Sequence, residues 1–410
     1  MQGLKTNWKQ FWLLVLINAF VGAMVGLERT VLPGLAETKF GLSEKTALLS
    51  FIVAFGTAKA LFNLFTGRLT QSFTRKKILT IGWLAALPVP FLLMYAPDWS
   101  WVIAANILLG INQGLAWSTT VIMKIDLVGE RNRGLAMGIN EFAGYLAVGL
   151  AAYMTAGIAA RYGYSYFPFL PGVAISILGL LLTIFLVKDT APFVHAESKT
   201  SRVPLLTNLW KQTTFKHHNL GSVTINGLVN NLNDGVVWGL LPLFLLQKGY
   251  DLAQVGILAG LYPAVWGLGQ LVTGKLGDTH CKKQLITAGM LLQATALLVV
   301  AFSGSFYVDL TSVVLLGGGT ALVYPNFLTV IAENTHPSQR AQGLSIFRFW
   351  RDSGYVIGAL LSGVLADAFG FGTTFIVVAG ITASAGALAQ VRMCCTQKLL
   401  WRSRVCIGTY

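Results

Sequence analysis

The chain has 410 residues, 54% of them hydrophobic and only 11% charged, with a mean hydropathy of +0.64. Soluble globular domains carry about 25% charged residues, so this composition excludes an ordinary water-soluble fold. The net charge of +14 would suit a nucleic-acid partner, but most of the 30 Lys and Arg lie in short segments between apolar runs, where they set membrane orientation instead.

Apolar runs of bilayer-crossing length recur along the chain. They fall at about 11–32, 45–67, 78–96, 101–123, 134–160, 167–187, 220–246, 254–273, 285–304, 310–332, 344–367 and 373–393. The pattern predicts an all-α polytopic membrane protein with twelve transmembrane helices. With both termini inside, the outer loops keep only Lys39, Arg161 and Lys248, with Lys45 at a boundary. The first run has no small-residue cleavage site and is expected to be retained. The longest hydrophilic segment, 188–219, separates residues 1–187 from 220–393, and 394–410 form a tail. Cys281, Cys394, Cys395 and Cys406 all fall on the expected inner side. Disulfides are not expected there, and no metal-ligand spacing occurs.

The two halves repeat. A shift of 207 residues places Gly67-Arg68-Leu69 on Gly274-Lys275-Leu276, Asp126 on Glu333 and Arg133 on Arg340. The same shift places Phe142 on Phe349, and Tyr162-Gly163-Tyr164 on Phe369-Gly370-Phe371. One gap-free offset across three loops implies two pseudo-symmetric six-helix bundles.

Several charges lie inside the apolar runs, where each is costly without a partner or water. Glu28 and Arg29 end the first run, just before Pro33. Lys59 lies in the second, Glu141 in the fifth and Asp234 in the seventh. The eleventh carries Arg348, Arg351 and Asp352. At a rise of about 1.5 Å per residue, Lys59 and Asp352 lie at similar depth, about 12 Å from the inner ends of their helices. The repeat also sets Glu141 on Arg348, an acid in one half at the place of a base in the other. Polar stripes run through the fourth run (Asn106, Gln113, Trp117, Thr120, Lys124) and the seventh (Asn226, Asn230, Asn233, Asp234). Thr320, Tyr324 and Phe327 are the repeat mates of Gln113, Trp117 and Thr120.

Nearly the whole chain resembles the major facilitator superfamily. The loop after the second run reads Gly67-Arg68-Leu69-Thr70-Gln71-Ser72-Phe73-Thr74-Arg75-Lys76-Lys77, similar to the family signature Gly-x-Leu-Ala-Asp-x-x-Gly-Arg-Arg/Lys. Gln71 replaces its aspartate and Thr74 its second glycine. The matching loop, Gly274-Lys275-Leu276-Gly277-Asp278-Thr279-His280-Cys281-Lys282-Lys283, keeps the aspartate. An acid shortly before an arginine, a second family pattern, occurs as Asp126…Arg133 and Glu333…Arg340. The resemblance implies a cytoplasmic gate network of Gly67, Arg75, Lys76, Asp126, Arg133, Gly274, Asp278, Lys282, Glu333 and Arg340. It implies interdomain coupling through Lys59, Arg348 and Asp352, with Lys59 and Asp352 the expected pair. It also places Gln113, Trp117, Asn226, Asn230, Tyr324, Arg29 and Arg351 toward a substrate cavity. Glu28, Asp234, Glu141 and Asp352 are the proton-coupling candidates. The fifth run contains no proline, unlike many drug/proton antiporters of this superfamily, and residues 188–192 do not match the sugar-porter signature.

The expected function is secondary active transport of a small organic solute by alternating access, coupled to protons, as an efflux antiporter or a symporter. No Gly-x4-Gly-Lys-Ser/Thr run occurs, so an ion gradient rather than ATP is the expected energy source, with no cofactor and no metal. The expected setting is a plasma membrane, such as a bacterial inner membrane, with a monomeric protein and no nucleic-acid partner. A transporter-like sensor or assembly factor without flux is the alternative, permitted by the degenerate loop at Gln71. A membrane enzyme is disfavoured, because all five His lie in loops and no Asp-rich motif exists. Substrate charge stays open, since Arg29, Lys59, Arg348 and Arg351 nearly balance the buried acids.

Overall fold

The computed structural model describes every residue except Met1, Thr30, Ser43, Glu130, Arg131, Thr396 and 402–410, and omits the side chains of 44–49, 52, 252 and 253. Cys406 therefore lies outside the described residues. The chain divides into two compact units, Met1–Gly129 with Asn140–Thr200, and Glu130–Ile139 with Ser201–Tyr410.

The first unit opens with α1 (Trp8–Arg29) and α2 (Leu32–Phe40), which starts on Pro33 and ends at Gly41 in the left-handed region. α3 (Glu44–Ser72) follows, then α4 (Arg75–Ala86), whose N-terminus is capped by the Thr74 hydroxyl accepting from Lys77 N. After α5 (Val89–Met94), Asp98 caps α6 (Trp99–Asn112) by accepting from Ser100 N at 2.8 Å. α6 passes through a π-helical turn, Gln113–Trp117, into α7 (Ser118–Val128). α8 (Arg133–Tyr162) begins in the second unit and continues in the first, followed by α9 (Leu170–Leu186) and the short α10 (Ala191–Thr200).

In the second unit, the single turn α11 (Leu209–Lys211) precedes α12 (His218–Gln247). A capping box of Asp251 and Gln254 starts α13 (Leu252–Thr279). α14 (Lys282–Phe302), α15 (Phe306–Glu333) and α16 (Pro337–Arg392) complete it. Between α12 and α15, Lys248 Nζ lies 3.0 Å from Asp309 Oδ2 and donates to Val300 O. The Tyr250 hydroxyl donates to the same carboxylate, and burial together with that acid pushes its phenol up to about 12.

The fold is that of two six-helix bundles with twelve transmembrane helices, the all-α architecture expected. Eight stretches among the described residues are long and apolar enough to cross a bilayer, including α16. That helix bends at Gly370, at φ 82°, and so supplies two of the twelve. The repeat explains the bend. Gly163, the mate of Gly370, takes φ 83° at the end of α8, where only glycine avoids steric cost. α3, α6–α7 and α12 complete the set. α12 carries a polar stripe that lowers its hydropathy.

The cysteines depart from expectation. Cys281 and Cys395 form a disulfide, with Cα atoms 5.8 Å apart. The cause is a tail that folds back on the start of α14. Cys281 N donates to Lys398 O at 2.9 Å, and the Gln284 side chain bonds both Leu400 N and Trp401 O at 2.6 Å. Spacing in sequence could not reveal this tertiary return.

Candidate functional site

In the first unit the polar groups converge on the π-helical turn. A π-turn widens a helix by one residue and commonly marks functional segments. It sets Gln113 and Trp117 on the buried side, 1% and 5% exposed. Gln113 Nε2 donates to Val21 O on α1 at 2.8 Å. Trp117 Nε1 donates to Glu141 Oε1 on α8 at 3.1 Å, and the Asn140 amide donates to the same oxygen at 2.6 Å. Asn18 joins this set by donating to Asn140 O and accepting from Thr120. Lys59 Nζ lies over the Phe55 and Trp117 rings, 5.6 and 5.9 Å from their centroids. Lys124 Nζ donates to Leu14 O. Glu28 is buried near the end of α1, with half-buried Arg29 beside it.

In the second unit α12, α13, α14, α15 and α16 supply two clusters. The Tyr262 hydroxyl donates to Asp234 and lies 3.3 Å from the Thr320 hydroxyl. Tyr262 stacks on Trp266, which meets the Tyr324 ring edge-on. Below this set, Gln293 Nε2 donates to Asn230 Oδ1, Asn233 Nδ2 donates to Gln293 Oε1, and Thr382 donates to Asn233 Oδ1. The second cluster is charged. Arg351 Nη1 lies 3.1 Å from Asp352 Oδ1, which also accepts from Asn231 Nδ2, and the Arg351 guanidinium lies 4.3 Å from the Tyr324 ring centroid. Arg348 is buried one turn earlier. Asn226 and Asn106 each donate to a carbonyl one turn back in their own helices.

The signature loops sit at helix ends. Arg75 Nε lies 3.5 Å from Asp126 Oδ2, which also accepts from the Thr190 hydroxyl. Lys76 contributes its backbone N–H to Asp189. In the second unit Lys282 Nζ lies 2.9 Å from Glu333 Oε1, and Arg340 Nε donates to Ala332 O. Asp278 accepts from Gly134 N and Leu135 N, capping the start of α8 within that unit. Gly274 lets this start approach, since a Cβ there would lie 2.4 Å from Gly134 O. Gly67 and Arg133 are buried in their units.

A family profile described as Major Facilitator Superfamily matches residues 11–218 and 223–403. The chain belongs to the major facilitator superfamily. It is thus a multi-pass membrane transporter. It is 23% identical over 387 residues to multidrug resistance protein MdtG of Salmonella typhimurium, covering 92% of this chain and 93% of that protein. The MdtG of Salmonella arizonae is also 23% identical, over 388 residues, with the same coverage. Among solved structures, the human organic anion transporter MFSD10 superposes with a TM-score of 0.77 at 16% identity, covering 93% of this chain and 99% of that one. The proton:xylose symporter XylE gives 0.75 at 15% identity, covering 93% and 95%. The superfamily signature is readable in the loops, whereas nothing in the sequence sets Tyr262, Gln293, Thr382 or Asn18 apart. Each is an uncharged residue inside an apolar run, with no local pattern to mark it.

Proposed function

We propose that this superfamily member is a proton-coupled secondary transporter that moves small organic solutes by alternating access, with Asp234 as the proton carrier. The observation that carries this reading is the chemistry of the Asp234 partners. Hydroxyls both donate and accept, so the Tyr262–Thr320 pair can serve a carboxylate or a carboxylic acid. Glu141 faces the N–H donors of Trp117 and Asn140, and Asp352 faces N–H donors of Arg351 and Asn231, groups that donate without accepting as a hydroxyl can. Glu28 is the reserve candidate. The names of the MdtG relatives support export of varied organic compounds. The rings of Trp266 and Tyr324 in the second unit suit such solutes as an apolar wall.

The test uses proteoliposomes loaded with the pH dye pyranine and challenged with ethidium, fluorescein, xylose and fucose. At least one solute is expected to move protons through the wild type and none through Asp234→Asn. Solute flux without proton movement would overturn the coupling. No flux of any kind would favour a sensor.

A further inference from the structure

A cavity of about 320 Å³ lies in the first unit, beside the Asp189 carboxylate that accepts from Lys76 N. Trp8, Lys9 and Gln10 at the start of α1, and Lys188, Asp189 and Phe193 beyond α9, form much of its wall. We propose that it binds the phosphate headgroup of an anionic phospholipid.

Two cations and one acid line the wall, but the acid is already engaged. Asp189 Oδ2 accepts from Lys76 N at 3.0 Å and Oδ1 from Ala191 N at 2.8 Å. Lys9 and Lys188 are exposed and outnumber the one carboxylate in the wall, which leaves the cavity with a net positive lining. Gln10 holds the two lysine-bearing segments together. Its Nε2 donates to Leu186 O at 2.8 Å, and its Oε1 accepts from Lys188 N at 3.0 Å, which ties the end of α9 to the start of α1.

The surroundings name the source of the phosphate. Trp8, Trp12 and Leu16 recur every four residues on α1 and are 54%, 51% and 44% exposed. Leu181, Phe185 and Leu186 form a similar exposed apolar face on α9. Both faces suit hydrocarbon, and Trp at such an end sits at headgroup level. The cavity opens where these two apolar faces stop and the lysines begin. A lipid can lay its acyl chains on the faces and its phosphate between the lysines. A soluble phosphate would use the lysines alone.

Full-length protein in detergent is titrated with dioleoylphosphatidylglycerol, dioleoylphosphatidylcholine and glycerol 3-phosphate, with native mass spectrometry reading bound lipid. The anionic lipid is expected to bind in preference to phosphatidylcholine. Lys9→Gln with Lys188→Gln is expected to weaken it about 10–30-fold, as two surface cations would. Lys9→Arg with Lys188→Arg should retain binding, and Lys77→Gln with Lys199→Gln should not alter it. Equal binding of the two lipids, or unchanged binding in the Gln pair, would overturn the proposal. So would an equal loss in the Lys77/Lys199 control, or competition by glycerol 3-phosphate at the lipid concentration.

Discussion

Lys282 Nζ sits 2.9 Å from Glu333 Oε1, and the residues 207 positions earlier, Arg75 and Asp126, make the same pair at 3.5 Å. The repeat thus preserves a contact between a loop and a helix end as well as a pattern of residue types. The two copies differ in burial. Asp126 is 2% exposed in its side chain, whereas Glu333 is 36% exposed. Breaking a buried pair costs about 3–5 kcal/mol. A half-exposed pair contributes about 1 kcal/mol or less. Asp126→Asn should therefore lower thermal stability in detergent clearly more than Glu333→Gln, and equal losses would show that burial does not separate the copies.

Glycine governs how closely α1 and α8 approach. A Cβ on Gly22 would lie 2.2 Å from the Gly144 carbonyl oxygen, whereas one on Gly149 would meet nothing within 4 Å. Backbone cannot yield as a flexible side chain can, and overpacking costs about 1–3 kcal/mol. Gly22→Ala should destabilise by about that amount and Gly149→Ala should be neutral, as read by thermal unfolding of the purified variants.

The Trp117–Glu141 bond couples the π-helical turn to α8. Trp117→Phe keeps a ring but removes the donor. A double-mutant cycle with Glu141→Met, which keeps the length and removes the acceptor, should give a coupling of about 0.5–3 kcal/mol, the range for residues that share a hydrogen bond. A coupling near zero would mean that the indole acts only by packing.

His217 gives the stability a pH dependence. Its Nδ1 caps α12 by accepting from Leu220 N at 3.3 Å, a role open only to the neutral ring. Burial, and then the neighbouring His218, hold its pKa below the usual 6.5. A depressed histidine contributes its full stabilisation above the unfolded value, and loses it as pH falls below that value. Stability should therefore decline from about pH 7 toward pH 5. The decline should be smaller in His217→Asn, which can cap without titrating. An identical decline in both proteins would assign the effect to other groups.

Much of this architecture is legible without coordinates. The length and spacing of the apolar runs announce the bundles, and the Gly163/Gly370 mates mark the same left-handed helix end in each half. The site is less legible, because periodicity finds stripes but not partners. Trp117 and Tyr324 stand out as repeat mates. That one meets an acid and the other a guanidinium follows from Glu141 and Arg351 facing them across tertiary contacts. Depth along a helix names no partner: within its own unit the Asp352 carboxylate contacts Arg351 and Asn231, and within its own unit Lys59 lies against Phe55 and Trp117. The π-helical turn has no proline or glycine pair to signal it. The tail returns to Cys281 by contacts that no local pattern encodes.

The central claim is that Asp234 carries the coupled proton. Its most direct measurement compares two modes of transport in one proteoliposome preparation. The first is solute exchange with equal pH on both sides, and the second is accumulation driven by a pH gradient. The account predicts that Asp234→Asn keeps exchange, because the solute still binds and the protein still alternates, but loses gradient-driven accumulation. Gradient-driven accumulation at the wild-type level in Asp234→Asn would contradict it.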